Sequence, residues 1–304
     1  MKHNVRMTII LLVMFLLTQL IGLLVLHAYV DVQKTQETGQ VSFEELPLGI
    51  ERPQVEAQTS FLYVFFMVLF GTGLLFLFIR FKIPLAFRIW YFLAVFFTLT
   101  ISLGAFIHST LAALLALGLA VWRVFRPQVI VHNLTELFMY GGIAAIFVPI
   151  MDLSAGFLVL IFISVYDMYA VWKSKHMIRL AKFQAQSRMF AGLYIPYQLS
   201  RKMAHQNSGA VKETKGMKKI TKITKKIKTA MLGGGDMAFP LIFAGIVMKE
   251  VGFGQVLFIP LGAALALLGL LWWGKEHRFY PAMPFLSTGC FLGYGLMLLS
   301  RFVF

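Results

Sequence analysis

The chain has 304 residues, of which 59% are hydrophobic and only 13% charged. Soluble globular domains hold about 45–50% and about 25%, so water is excluded as the main solvent of this chain. Its lone cysteine, Cys290, excludes a disulfide framework and a cysteine-rich metal site. A net charge of +15 points toward nucleic acid only if the basic residues gather on one surface, so their order along the chain matters more than the total.

A membrane span takes about 20 mostly apolar residues. The first, 8–30, follows Lys2 and Arg6; it is long for a signal-peptide core and no A-x-A-like cleavage site follows, so an uncleaved span is expected. Next comes an acidic segment, 31–59, with Asp31, Glu37, Glu44, Glu45, Glu51 and Glu56. Five spans are then expected near 60–80, 84–103, 105–124, 136–152 and 153–172, and three more near 229–248, 253–273 and 281–301, making nine. The reading is an all-α polytopic protein, one integral membrane domain over 1–304. It has six spans in 1–172, a basic cytoplasmic loop over 173–228 and three spans in 229–304.

Charge supplies an independent check on this count, because cytoplasmic segments retain Lys and Arg. With the N-terminus inside, the inside segments hold Lys2 and Arg6; Arg80, Lys82 and Arg88; Arg123 and Arg126; fifteen residues of 173–228; and Lys275 and Arg278. That is 24 of the 28 basic residues, leaving Lys34, Arg52, Lys249 and Arg301 outside. The run Lys212 to Lys228 is explained by positive-inside retention and anionic lipid, so no nucleic-acid partner is expected. Met189 to Leu199 (MFAGLYIPYQL) is apolar enough to lie on the membrane, to act as a hinge or to be a site of self-cleavage, and these alternatives stay open.

Ionisable groups deep in a span cost a few kcal/mol and mark function by default. Glu136, Asp152 and Glu250 are expected near span ends within reach of solvent, which leaves Asp167 and Asp236. At about 1.5 Å per residue, Asp167 lies roughly 7 Å and Asp236 about 10 Å from the cytoplasmic edge, a shared level on consecutive antiparallel spans. Two adjacent carboxyls share a proton and titrate as a pair, which supplies an acid and a base in one site. The ionised member can activate water while the protonated one polarises a peptide carbonyl, with no metal or cofactor required. The aspartates alone fit a proton or ion relay in a transporter or channel equally well.

Their neighbours shift the balance. Gly233, Gly234 and Gly235 precede Asp236, where small residues leave room for another backbone. Tyr166 precedes Asp167 and offers a phenol. Pro281, Ala282, Met283 and Pro284 open the last span at the same level, where prolines free backbone groups from regular helix. Tyr166-Asp167, then Gly233-Gly234-Gly235-Asp236 (GxGD), then Pro281-Ala282-Met283 together resemble the presenilin and signal peptide peptidase family of intramembrane aspartyl proteases. That resemblance implies a nine-helix fold, Asp167 and Asp236 as catalytic acids, and a proline motif that shapes the site and receives substrate. It also implies hydrolysis of peptide bonds in transmembrane segments. The expected partners are therefore a transmembrane protein or peptide and membrane lipid, with a homo-oligomer left open. Met283 stands where the family usually has leucine, and Gly234 where a larger residue is common. The inside N-terminus is similar to presenilin rather than signal peptide peptidase, and the short loop suits an archaeal member in a prokaryotic cell membrane.

Overall fold

Hydrocarbon offers backbone groups no partners, so apolar runs of this length close their hydrogen bonds internally as helices. A computed structural model describes residues 5–39, 41–81, 83–174, 189–198, 227–274 and 280–303. Nine helices of at least 16 residues stand among the described residues. They are α1 (Val5–Ala28), α3 (Ser60–Phe81), α4 (Pro84–Gly104), α5 (Ser109–Phe125), α6 (Val129–Phe147), α7 (Leu153–Met168), α8 (Gly234–Val251), α10 (Phe258–Trp273) and α11 (Met283–Val303). Short helices α2 (Val32–Thr38) and α9 (Phe253–Val256) lie between them. Seven of the helical stretches are long and apolar enough to cross a membrane; α5 is a shorter apolar helix, and α8 carries Asp236, Lys249 and Glu250.

The composition of α8 follows from its place. Residues Met237 to Met248 are buried almost without a break, so this helix touches protein on all sides and is relieved of a lipid-facing stripe. It runs parallel to α1, where Gln19 Nε2 donates to the Met237 carbonyl at 2.9 Å. It runs antiparallel to α7: the Phe157 and Phe243 rings meet at 5.0 Å, and Lys249 Nζ donates to the carbonyls of Val148 (2.9 Å) and Met151. Around α8, residues of α1, α6, α7, α10 and α11 form the main core, including Phe15, Leu160, Leu267 and Leu286. A second cluster joins α4 and α5 through Phe87, Val95, Ala116 and Ala120. The helices α10 and α11 come together at Gly262 and Gly289, where a β-carbon on Gly289 would stand 2.7 Å from the Ala266 side chain. Phe66, Phe70, Leu114, Leu265 and Leu292 cover the outside, an apolar surface suited to lipid.

Two small antiparallel sheets interrupt the helices among the described residues. Strands β1 (Val30–Asp31) and β2 (Ser42–Phe43) fold back the acidic segment after α1. Strands β3 (Gly192–Gln198) and β4 (Ile227–Gly233) pair from Gly192↔Gly233 to Gln198↔Ile227. This second hairpin departs from the expectation of an apolar surface segment or hinge at Met189–Leu199 and of helix from 229. Leu193 and Ile195 alternate with Tyr194 and Pro196, and only Leu193 and Ile195 pack into the core, a period of two that a short apolar run conceals. The basic run expected at 212–228 lies, up to residue 226, outside the described residues.

A second departure concerns α6, which starts at Val129 rather than near 136. Glu136 is therefore well inside the helix and 0% exposed, not within reach of solvent at a span end. Arg123, expected among the cytoplasmic charges, is 2% exposed and pairs with it. A buried charge is tolerated where an opposite charge and hydrogen bonds compensate its lost hydration, and here each ion is the reason the other can be inside.

Candidate active site

Asp167 stands one residue before the end of α7 and is 4% exposed. Below it the chain widens into a π-helical turn, Tyr169–Lys173, a form concentrated at functional sites. The carboxylate faces the segment that opens α11: Met283 N–H donates to Asp167 Oδ2 at 3.1 Å, and the Ala282 amide adjoins it. Three residues earlier, the hydroxyls of Ser164 and Ser287 meet at 2.8 Å, which fixes α7 antiparallel to α11. The Pro281-Ala282-Met283 motif is thus packed on Asp167, with Pro281 and Met283 buried. A helix N-terminus presents unpaired N–H groups, and here they point at a carboxyl.

Asp236 lies in the first turn of α8 and is half-buried. Gly233 closes β4 and caps α8 from an extended conformation, so the glycines sit at the strand-to-helix junction rather than mid-helix. A β-carbon on Gly233 would stand 3.2 Å from Asp236 Oδ2. One on Gly234 would stand 2.8 Å from the Tyr140 hydroxyl, so this position has no room for the larger residue common in the family. Gly234 N–H also donates to the Ala191 carbonyl at 3.1 Å, continuing the hairpin's pairing into the helix. Gly235 is exposed, beside the Phe239 ring. Pro240 leaves the Asp236 carbonyl without its usual helical donor.

The antiparallel packing of α7 and α8 sets the level of the two acids. From the end where Lys249 meets Met151, Asp236 is about 20 Å and Asp167 about 24 Å along the helices at 1.5 Å per residue. Both acids therefore occupy the end of the pair that carries the β3–β4 hairpin and the start of α11. Tyr166 is turned elsewhere: its hydroxyl donates to Thr72 Oγ1 on α3 at 3.1 Å.

Long apolar helices, with two acids at one level of an antiparallel pair, define a polytopic membrane protein. The sequence matches the family described as "Signal-peptide peptidase, presenilin aspartyl protease" over residues 13–303, and the chain belongs to that family. That family is one of aspartyl proteases, so the chain is a hydrolase. Two solved structures of a presenilin family intramembrane aspartate protease share the fold. The one in space group P2 has a TM-score of 0.60 and 17% identity over 95% of this chain and 96% of that one. The one in C222 has a TM-score of 0.58 and 17% identity over 94% of each chain. No significant match was found among curated proteins.

Proposed function

We propose that Asp167 and Asp236 are the catalytic dyad of an intramembrane endopeptidase that cuts peptide bonds in transmembrane segments. One carboxylate takes a proton from water while the other, protonated, polarises the scissile carbonyl. The observation that carries this reading is the common level of the two acids on antiparallel helices, beside the proline motif that donates to Asp167. In this reading the chain crosses the membrane nine times with its N-terminus in the cytoplasm, and the dyad opens toward the cytoplasmic third of the bilayer.

A substrate must be extended to be cut, and β4 offers an edge. Asn133 takes both main-chain groups of Tyr194, Nδ2 donating to the carbonyl at 2.9 Å and Oδ1 accepting from the amide at 3.0 Å. Tyr194 therefore points its backbone away from β4, and in the observed register Met231 and Gly233 point theirs away from β3. A substrate strand added along Met231–Gly233 runs directly toward Asp236, with main-chain bonds supplying affinity independent of side chains.

Purified protein, Asp167→Ala and Asp236→Ala are compared for cleavage of a transmembrane peptide in liposomes. Both substitutions are expected to abolish peptide products; full activity in either one refutes the dyad. Ion flux in sealed liposomes without any peptide product would instead assign the acids to transport.

A further inference from the structure

The Arg123–Glu136 pair is the centre of a buried polar cluster that faces the hairpin. Tyr91 accepts from Arg123 Nε at 3.0 Å and donates to the Phe190 carbonyl at 3.1 Å. His132 Nε2 meets the Gly192 carbonyl at 2.7 Å, a contact in which the ring nitrogen must be the donor because a carbonyl only accepts. Asn133 holds the amide and carbonyl of Tyr194. Tyr140 donates to the second carboxylate oxygen of Glu136, and its hydroxyl is the atom that crowds Gly234.

These contacts form one pattern. The carbonyls of Phe190, Gly192 and Tyr194 are each taken by a side chain of α4 or α6, while the Ala191 carbonyl between them accepts from Gly234 N–H. Every main-chain carbonyl from 190 to 192 is thereby tied either to the buried cluster or to the first residue of the helix that carries Asp236. A lone surface contact restrains one side chain; a satisfied network in a low-dielectric interior restrains a whole segment.

We infer that the cluster of Tyr91, Arg123, His132, Asn133, Glu136 and Tyr140 is a positioning device that sets Asp236 relative to Asp167 through the β3 backbone and the Ala191–Gly234 hydrogen bond. None of these six touches the reacting atoms; they are positioning residues, and their role rests on Asp236 being catalytic. The cluster has a further consequence. His132, Asn133 and the ring of Pro196, which lacks an N–H, close the outer edge of β3 to an added strand.

The test is steady-state cleavage of a transmembrane peptide by full-length protein in liposomes, with His132→Ala, His132→Gln and Asn133→Ala beside an Asp236→Ala control. Glutamine carries its amide nitrogen at about the reach of imidazole Nε2 and can donate to the Gly192 carbonyl. His132→Ala and Asn133→Ala are expected to lower kcat at least tenfold with melting temperature within a few degrees of the parent, and His132→Gln to recover most of kcat. Should His132→Ala not purify folded, Asn133→Ala carries the same expectation, because it releases the main chain of one residue alone. Parental kcat in folded Asn133→Ala overturns the inference, and so does a rise in KM with kcat unchanged. An active Asp236→Ala refutes the dyad itself, a failure distinct from parental kcat in Asn133→Ala beside an inactive control.

Discussion

A buried ion pair contributes little when intact and much when broken, since removing one partner leaves an uncompensated charge in the interior. Arg123 and Glu136 are such a pair, at 2% and 0% exposure. Glu136→Ala is expected to cost about 3–5 kcal/mol, read as a large fall in melting temperature in detergent, whereas removing both ions in favour of apolar residues of similar volume costs far less. Gly234 supplies a second residue-scale test. A methyl there collides with the Tyr140 hydroxyl, so Gly234→Ala is expected to lower cleavage; Tyr140→Phe, which takes a donor from Glu136, lowers it in the parent but less in the Gly234→Ala background. The double mutant should depart from additivity by about 0.5–3 kcal/mol in transition-state stabilisation, the range for residues in contact. Additive effects would show that the two positions do not meet. Asp167 and Asp236 were visible in the sequence because charge deep in an apolar run is conspicuous by itself. Glu136 was not, because the polar stretch His132-Asn133-Leu134-Thr135-Glu136 reads as the end of a span when its partners on α4, α5 and β3 are unknown.

Elements show the same division between local and non-local information. The long helices follow from apolar runs, and α4 begins and ends within a residue of the expected 84–103. The β3–β4 hairpin does not, because its strands are separated by residues 199–226 and a short apolar segment can be strand, buried helix or surface loop. The start of α8 moved from 229 to Gly234 for that reason, which puts the glycines where a strand turns into a helix. Strand chemistry predicts opposite outcomes at adjacent positions. Met231→Pro removes an N–H that faces away from β3, so it should raise KM for a transmembrane peptide about tenfold or more while the protein stays folded. Leu232→Pro removes an N–H that pairs with β3 and should destabilise the hairpin and abolish cleavage. Equal effects of the two would contradict the assigned free edge.

At the scale of the molecule, a bundle with lipid-facing apolar walls surrounds one helix, α8, that is buried nearly throughout. The proposed orientation makes opposite ends of this bundle accessible from opposite sides. In a Cys290→Ser background, a thiol at Gln36→Cys on α2 should react with an impermeant reagent from outside intact cells, and one at Ser208→Cys only after the cytoplasmic side is opened. The reverse pattern would invert the topology and move the dyad to the other leaflet.

Asp167 and Asp236 are proposed to act together on a peptide bond. Mass spectrometry of a transmembrane peptide incubated in liposomes with the parent protein, Asp167→Ala or Asp236→Ala reads this most directly. Two complementary fragments are expected from the parent, with masses that sum to the substrate plus one water, and none from either substitution. Fragments from a protein lacking one of these carboxyls at the parental rate would contradict it.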